Sequence, residues 1–280
     1  MARLGQYNTL TVLKSVDFGL YLDGGDGLEI LMPQKYVPKG TQVGDSLRVF
    51  VYQDAAARLL ATTEHPATTV GQCAYLRIEM VTSVGAFADW GVSKQLLIPL
   101  SEQTVKMQEG HRYMIYIYID TVSGRIVGSA KIDRHLGNTP PSYHTGDEVE
   151  IMIWKRTPLG YKAIINHQHI GMLYENQIFQ DLTSGQSLHA FIRTVRDDDK
   201  IDLSLQPVGY TEAEPAAEES LLKALRLHAG FLPLTDHSSP QLIASQLQLS
   251  KKAFKRAVGA LYKQRLITLE DDGIRLLSEE

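Results

Sequence analysis

Three glycines recur three times along this 280-residue chain with the same internal spacing, and no other feature limits its fold so tightly. Gly5, Gly19 and Gly44 are followed by Gly71, Gly85 and Gly110, then by Gly146, Gly160 and Gly185. The differences 19−5, 85−71 and 160−146 are each 14, and 44−19, 110−85 and 185−160 are each 25. A kept spacing of this kind marks a repeated structural unit. Each first glycine opens a run (6–13, 72–80, 147–154) with apolar residues on every second position, the pattern of a half-buried strand. Each second glycine opens another such run (19–22, 85–88, 160–163), and each third precedes one more (47–52, 113–119, 188–195). Short apolar stretches at 27–31, 96–100 and 171–174, and closing strands at 59–62, 126–129 and 201–205, bring every copy to five strands.

Five strands in about sixty residues is the size of the oligonucleotide/oligosaccharide-binding (OB) barrel. The main irregularity is an insertion at 133–143 containing Gly137-Asn138-Thr139-Pro140-Pro141, which reads as a linker between the second and third copies. The acidic stretch 211–219 then reads as a hinge, after which the period becomes helical. A first helix is expected over 220–229, and Ser239-Pro240 supplies an N-cap and a first-turn proline for a second. Ser250 caps a third, in which Phe254, Ala257, Val258 and Leu261 share one face. The segments 266–269 and 274–277, with Asp272-Gly273 as the turn, make a hairpin. That order is a winged helix-turn-helix. The fold expected is therefore mainly β with a C-terminal α+β domain: OB-fold barrels at 1–66, 67–140 and 141–211, and a winged helix at 212–280.

Composition narrows the function. A 44% hydrophobic content supports several compact units, and a net charge of −4 argues against an electrostatic grip by the whole molecule, so an anionic partner would have to meet local patches. The N-terminus has no signal-peptide core and the chain no bilayer-length apolar run, giving a cytoplasmic, membrane-free expectation. Cys73, the one cysteine, falls on a strand and reads as a buried inert thiol. His167 and His169 sit in a turn without companion ligands, and Asp197-Asp198-Asp199 reads as a strand-connecting turn, so no metal site is expected. Gly24-Gly25-Asp26-Gly27 is a hairpin turn by context. With no Walker loop and no Gly-x-Ser-x-Gly elbow, the chain reads as a non-enzyme with no catalytic residue and no cofactor.

Asp17-Phe18-Gly19-Leu20-Tyr21, Val84-Gly85-Ala86-Phe87 and Val43-Gly44-Asp45 resemble signatures of the S-one domain, an RNA-binding barrel. Over nearly its whole length the chain resembles the conserved virulence factor B family, in which three such barrels precede a winged helix. Segments 97–103, 199–205 and 261–263 resemble recurrent segments of that family. The resemblance implies an RNA-contact face. In the first barrel Phe18 and Tyr21 match the stacking aromatics, and Asp54 and Arg58 the polar pair of the turn between the fourth and fifth strands. In the second, Phe87, Asp120 and Arg125 match, while Val84 replaces the first aromatic. In the third, Leu159 and Lys162 replace both aromatics beside Tyr161, Arg196 stands for the acid and Lys200 for the arginine. The histidine the resemblance leads one to expect on the third strand is replaced by Ile30, Ile98 and Tyr174.

A single strand exposes flat bases and a charged backbone, so aromatics can stack while Arg and Lys neutralise phosphate. In the winged domain Lys251, Lys252, Lys255, Arg256 and Lys263 lie mainly off the apolar face of the third helix and extend the candidate RNA contacts. The expectation is a single-stranded-RNA-binding post-transcriptional regulator. Two alternatives stand beside it: a transcription regulator whose winged helix reads duplex DNA, and a protein-binding scaffold whose partner the sequence does not name.

Overall fold

A computed structural model describes residues 1–178, 180–207, 214–247 and 249–277, with only the backbone of Asn176 and of residues 214–216. In the first repeat, β1 (Tyr7–Val16), β2 (Gly19–Asp23), β3 (Glu29–Pro33), β4 (Ser46–Gln53) and β5 (Leu59–Thr62) close into a barrel in the order β1-β2-β3-β5-β4. Alternation is what permits this: Leu10 and Val12 of β1, Leu22 of β2 and Ile30 and Met32 of β3 point inward and are buried, while their neighbours are half-buried or exposed. The third repeat, β11 (Glu148–Thr157), β12 (Gly160–Ile165), β13 (His169–Tyr174), β14 (Ser187–Val195) and β15 (Ile201–Ser204), closes in the same order.

The second repeat keeps the topology without the closing ladder. Its strands β6 (Cys73–Val81), β7 (Gly85–Asp89), β8 (Leu96–Pro99), β9 (Arg112–Ile119) and β10 (Ile126–Ser129) form a five-stranded sheet in the order β10-β9-β6-β7-β8. In the two closed barrels the third and fifth strands pair in parallel, Leu31 opposite Leu60 and Gly171 opposite Ile201. Here β8 and β10 are the sheet edges, so the barrel is nearly rather than fully closed.

The repeated glycines occupy matching places. Gly5, Gly71 and Gly146 donate their N–H to the carbonyls of Val51, Ile117 and Ile192. Gly44, Gly110 and Gly185 donate to Val12, Ile78 and Ile153, the residues at which the first strand of each repeat shifts register. Gly19, Gly85 and Gly160 begin each second strand at φ of +153°, +155° and +138°. A Cβ there would overlap the carbonyl oxygen of Met32, Ile98 or Leu173 on the next strand, so only glycine lets the hairpin close.

The winged domain comprises α1 (Glu214–Leu227), β16 (Phe231–Leu232), α2 (Pro240–Leu247), α3 (Lys251–Lys263), β17 (Ile267–Glu270) and β18 (Gly273–Leu276). Both expected caps form: the Ser239 hydroxyl accepts from Leu242 N–H and Ser250 from Ala253 N–H. Three details differ from the sequence reading. The first helix starts at Glu214 rather than at 220, because acidic residues and a proline suit a helical first turn as well as a hinge. The hairpin gains β16, giving a sheet ordered β16-β18-β17. Gly273 lies on β18 opposite Glu270, where a side chain would overlap the Leu232 carbonyl, and residues 271–272 make the turn. The expected boundary at 212 lies outside the described residues.

The chain divides into two compact units, residues 1–139 with 167–169, and residues 140–166 with 170–280. Within the first, the two barrels share a core. Phe50 of β4 packs edge-on against Trp90, ring centroids 5.5 Å apart, and with Tyr52 joins the cluster that fills the second barrel. Such an aromatic pair adds about 0.5–1.5 kcal/mol beyond its buried area. The connection between the barrels is held as well: Val70 N–H donates to Gly5 O, Ala67 N–H to Trp90 O, and Gln6 Nε2 to Val70 O. The expected linker at 133–143 begins as structure, with Ile132 and Leu136 buried and the His135 ring stacked on Tyr116 at 4.5 Å. Burial lowers the His135 pKa. Among the described residues no helix is long and apolar enough to cross a membrane.

Candidate nucleic-acid interface

Phe18 sits on the β1–β2 turn at 59% exposure, and Val84 and Leu159 hold the same place at 60% and 63%. An apolar side chain is thus offered to solvent three times, aromatic only in the first barrel. Phe18 meets Tyr21 edge-on at 6.4 Å. Lys14 lies over the Tyr21 ring at 4.7 Å while its Nζ is paired with Glu29, so a cation already covers one face of that ring. In the second barrel Phe87 is half-buried and pairs with Leu97, as Tyr21 pairs with Leu31.

The β4–β5 turns correspond through their backbone. Asp54 N–H donates to Arg58 O, Asp120 N–H to Arg125 O and Arg196 N–H to Lys200 O. Their side chains differ. Asp54 accepts from the Arg58 backbone N–H and from its guanidinium Nε at 2.9 and 2.8 Å, and these bonds hold its carboxyl below the usual carboxylate range. Asp120 is lowered by Ser123 instead, which donates from its hydroxyl and backbone, while Arg125 reaches across to the Ala55 carbonyl of the first barrel at 3.0 Å. In the third barrel the charges invert: Arg196 binds Asp202 of β15 at 2.9 Å and donates to the Tyr174 hydroxyl at 2.7 Å, and Lys200 pairs with Asp198.

One correspondence requires correction. Gly160 closes on Leu173 as Gly19 closes on Met32 and Gly85 on Ile98, so Tyr174 occupies the place of Pro33 and Pro99. Ile30 and Ile98 are interior residues opposite Leu22 and Ala86 and do not form a set with Tyr174. Met32, Ile98 and Leu173 each lie 13 residues after the glycine that closes on them, so Ile30 falls two residues before that place and Tyr174 one after it, even though the connections before the third strand, 24–28 and 90–95, differ in length.

Three of the expected site residues come together. Asp54 of the first barrel and Phe87 and Arg125 of the second line one cleft, about 700 Å³ including its open mouth, that runs along the seam between β8 and β10. Gln53, Trp90 and Lys94 line it too and went unnoticed in the sequence, which does not reveal that this repeat stays open or that the first barrel caps the opening. Also missed was Trp154, whose ring carries Lys155 at 3.9 Å and Lys162 at 5.5 Å, beside the register shift that breaks the alternation of β11. Tyr161 lies under Arg156 at 5.8 Å.

In the winged domain Lys251 donates to the Ser238 carbonyl and Lys255 pairs with Asp236 at 3.4 Å. Lys252, Arg256 and Lys263 are exposed at i, i+4 and i+11, one stripe along α3. Cys73 is buried and its thiol is pushed up to about 12 by that burial. No cluster of metal-ligating side chains occurs among the described residues.

Residues 219–276 match the family model of the CvfB-like winged helix domain, and residues 4–64 match that of the S1 domain. The chain is 25% identical over 281 residues to the Bacillus subtilis protein YitL, covering 96% of this chain and 92% of that one. It is 22% identical over 264 residues to conserved virulence factor B of Staphylococcus saprophyticus, covering 91% and 88%. Among solved structures, a multidomain protein with nucleic acid binding domains from Streptococcus pneumoniae covers 98% of each chain at 23% identity, with a TM-score of 0.42. The chain is thus similar over most of its length to the conserved virulence factor B proteins, with its start matching the S1 domain and its end the CvfB-like winged helix domain.

Proposed function

We propose that this protein binds single-stranded RNA through its first two barrels and acts as a cytoplasmic post-transcriptional regulator, without catalysis. The observation that carries this reading is the cleft in which Asp54, Phe87 and Arg125 converge from two successive repeats. The S1 match over the first barrel lends it support. Phe18 and Tyr21 supply stacking surface on the first barrel, and Arg58 and Arg125 supply charge that a phosphate backbone can meet. In the third barrel Tyr161, Lys162, Tyr174, Arg196 and Lys200 are engaged in local pairs and contribute less. Lys252, Arg256 and Lys263 of α3 add phosphate contacts, and Lys251 and Lys255 fewer because each already has a partner in its own domain.

The test is a triple substitution of Phe18, Tyr21 and Phe87 by alanine. Each stacked base lost costs about 1–3 kcal/mol, so affinity for a short single-stranded RNA is expected to fall at least about a hundredfold with the fold retained by circular dichroism. A folded triple variant with full affinity removes these aromatics from the RNA site.

A further inference from the structure

The cleft between the first two barrels contains a polar group with nothing to bond. Gln53, the last residue of β4, lines the cleft, and its Oε1 is buried without a hydrogen-bond partner among the described residues. Buried side-chain acceptors are normally satisfied, and one left unmet in the wall of an open cavity calls for a ligand. The other walls state what kind. Half-buried Phe87 and Leu97 offer apolar surface, backed by Trp90, which is buried against Phe50 and whose indole N–H is already bonded to the Lys94 carbonyl, so it adds no donor. Asp54 is tied to Arg58. Lys94 and Arg125 bring two cations. The seam adds backbone: β8 forms a ladder with β7 and β10 with β9, and no ladder joins β8 to β10.

An apolar wall with the Phe87 ring in it, an amide with an unmet acceptor and two cations together match a nucleotide: a planar ring, a hydrogen-bonding edge and an anionic backbone. We propose that this cleft takes a single nucleobase and that Gln53 reads its edge, preferring adenine. Adenine offers an amine donor beside a ring-nitrogen acceptor, matching both ends of the carboxamide. The terminal torsion of glutamine is soft, so a turn of the carboxamide brings its oxygen toward the ring. The inference rests on the RNA-binding reading and adds to it a base-selective position on an otherwise sequence-tolerant surface. The base can arrive on a strand or as a free nucleotide, and the experiment separates the two.

Short oligoadenylate and oligouridylate, together with AMP and UMP, are titrated against the full chain and its Gln53→Leu variant. The expected result is that the unaltered protein holds oligoadenylate about tenfold more tightly than oligouridylate, the discrimination of one well-made hydrogen bond, and that Gln53→Leu binds the two alike. Gln53→Leu is also expected to melt at a higher temperature, since it removes a buried unmet polar atom while keeping most of the side-chain volume. RNA binding with no adenine preference, or with a preference that survives Gln53→Leu, overturns the base-reading proposal and leaves the RNA reading standing. Binding of AMP in a Gln53-dependent way with no binding of either strand keeps the base pocket and overturns the RNA reading. Binding of neither strands nor nucleotides overturns both.

Discussion

A methyl group added at Gly85 would lie inside the van der Waals envelope of the Ile98 carbonyl oxygen, a backbone atom that cannot move without opening the β7–β8 hairpin. Gly85→Ala is therefore expected to destabilise the second barrel by about 3 kcal/mol, the scale of a strained backbone clash, read as a fall in thermal midpoint. An equal midpoint would show that the hairpin tolerates the group. The same constraint at Gly19 and Gly160 explains why the repeat was legible: a position that admits only one residue type keeps its spacing visible in the sequence. Residues with softer roles were less legible. Tyr21 reads as a stacking aromatic by resemblance to the S-one signature, yet nothing in the sequence announces that Lys14, held by Glu29, lies on its ring. Gln53 reads as an ordinary strand end, and its meaning depends on which side chains a neighbouring barrel brings around it.

Elements were legible wherever pattern and terminus agreed: all fifteen barrel strands fall near their expected runs, and the α2 and α3 caps form as read. What sequence periodicity does not carry is pairing between strands distant in the chain, so the unladdered edges of β8 and β10 and the short β16 emerged only in three dimensions. The joint between the first two barrels belongs to this scale. Glu64 accepts from the Ser93 hydroxyl at 2.6 Å and backbone N–H at 2.9 Å, and Tyr36 donates to Ser93 across the same junction. Burial would raise the Glu64 carboxyl, but hydrogen bonds from Ser93, Tyr36 and Thr62 outweigh it and hold it below its ordinary value of 4.5. A carboxyl lowered by folding stabilises the folded state fully above its unfolded value, and that contribution is lost as pH falls through the folded value. Glu64→Gln is accordingly expected to lower stability by about 1 kcal/mol at neutral pH and to lose less than the unaltered protein on acidification below about pH 4.5. Parallel pH profiles of the two thermal midpoints would contradict this role for Glu64.

For the whole molecule, a net charge of −4 means that binding to a polyanion has to come from local geometry, and the exposed cations of α3 form one such place. Three phosphate contacts by Lys252, Arg256 and Lys263 would each contribute about 0.7 to the single-strand salt slope, so a chain ending at Tyr210 is expected to bind RNA more weakly with a slope shallower by about 2. An unchanged slope would assign the winged domain to another partner. The central claim, recognition of a single strand by stacking in the first two barrels, is tested most directly by titrating the full chain with single-stranded RNA, single-stranded DNA and duplex DNA at two salt concentrations. The account predicts that single-stranded RNA binds most tightly at both concentrations and that duplex DNA binds weakly and is nearly lost at the higher one. Tighter binding to duplex DNA than to either single strand would contradict it.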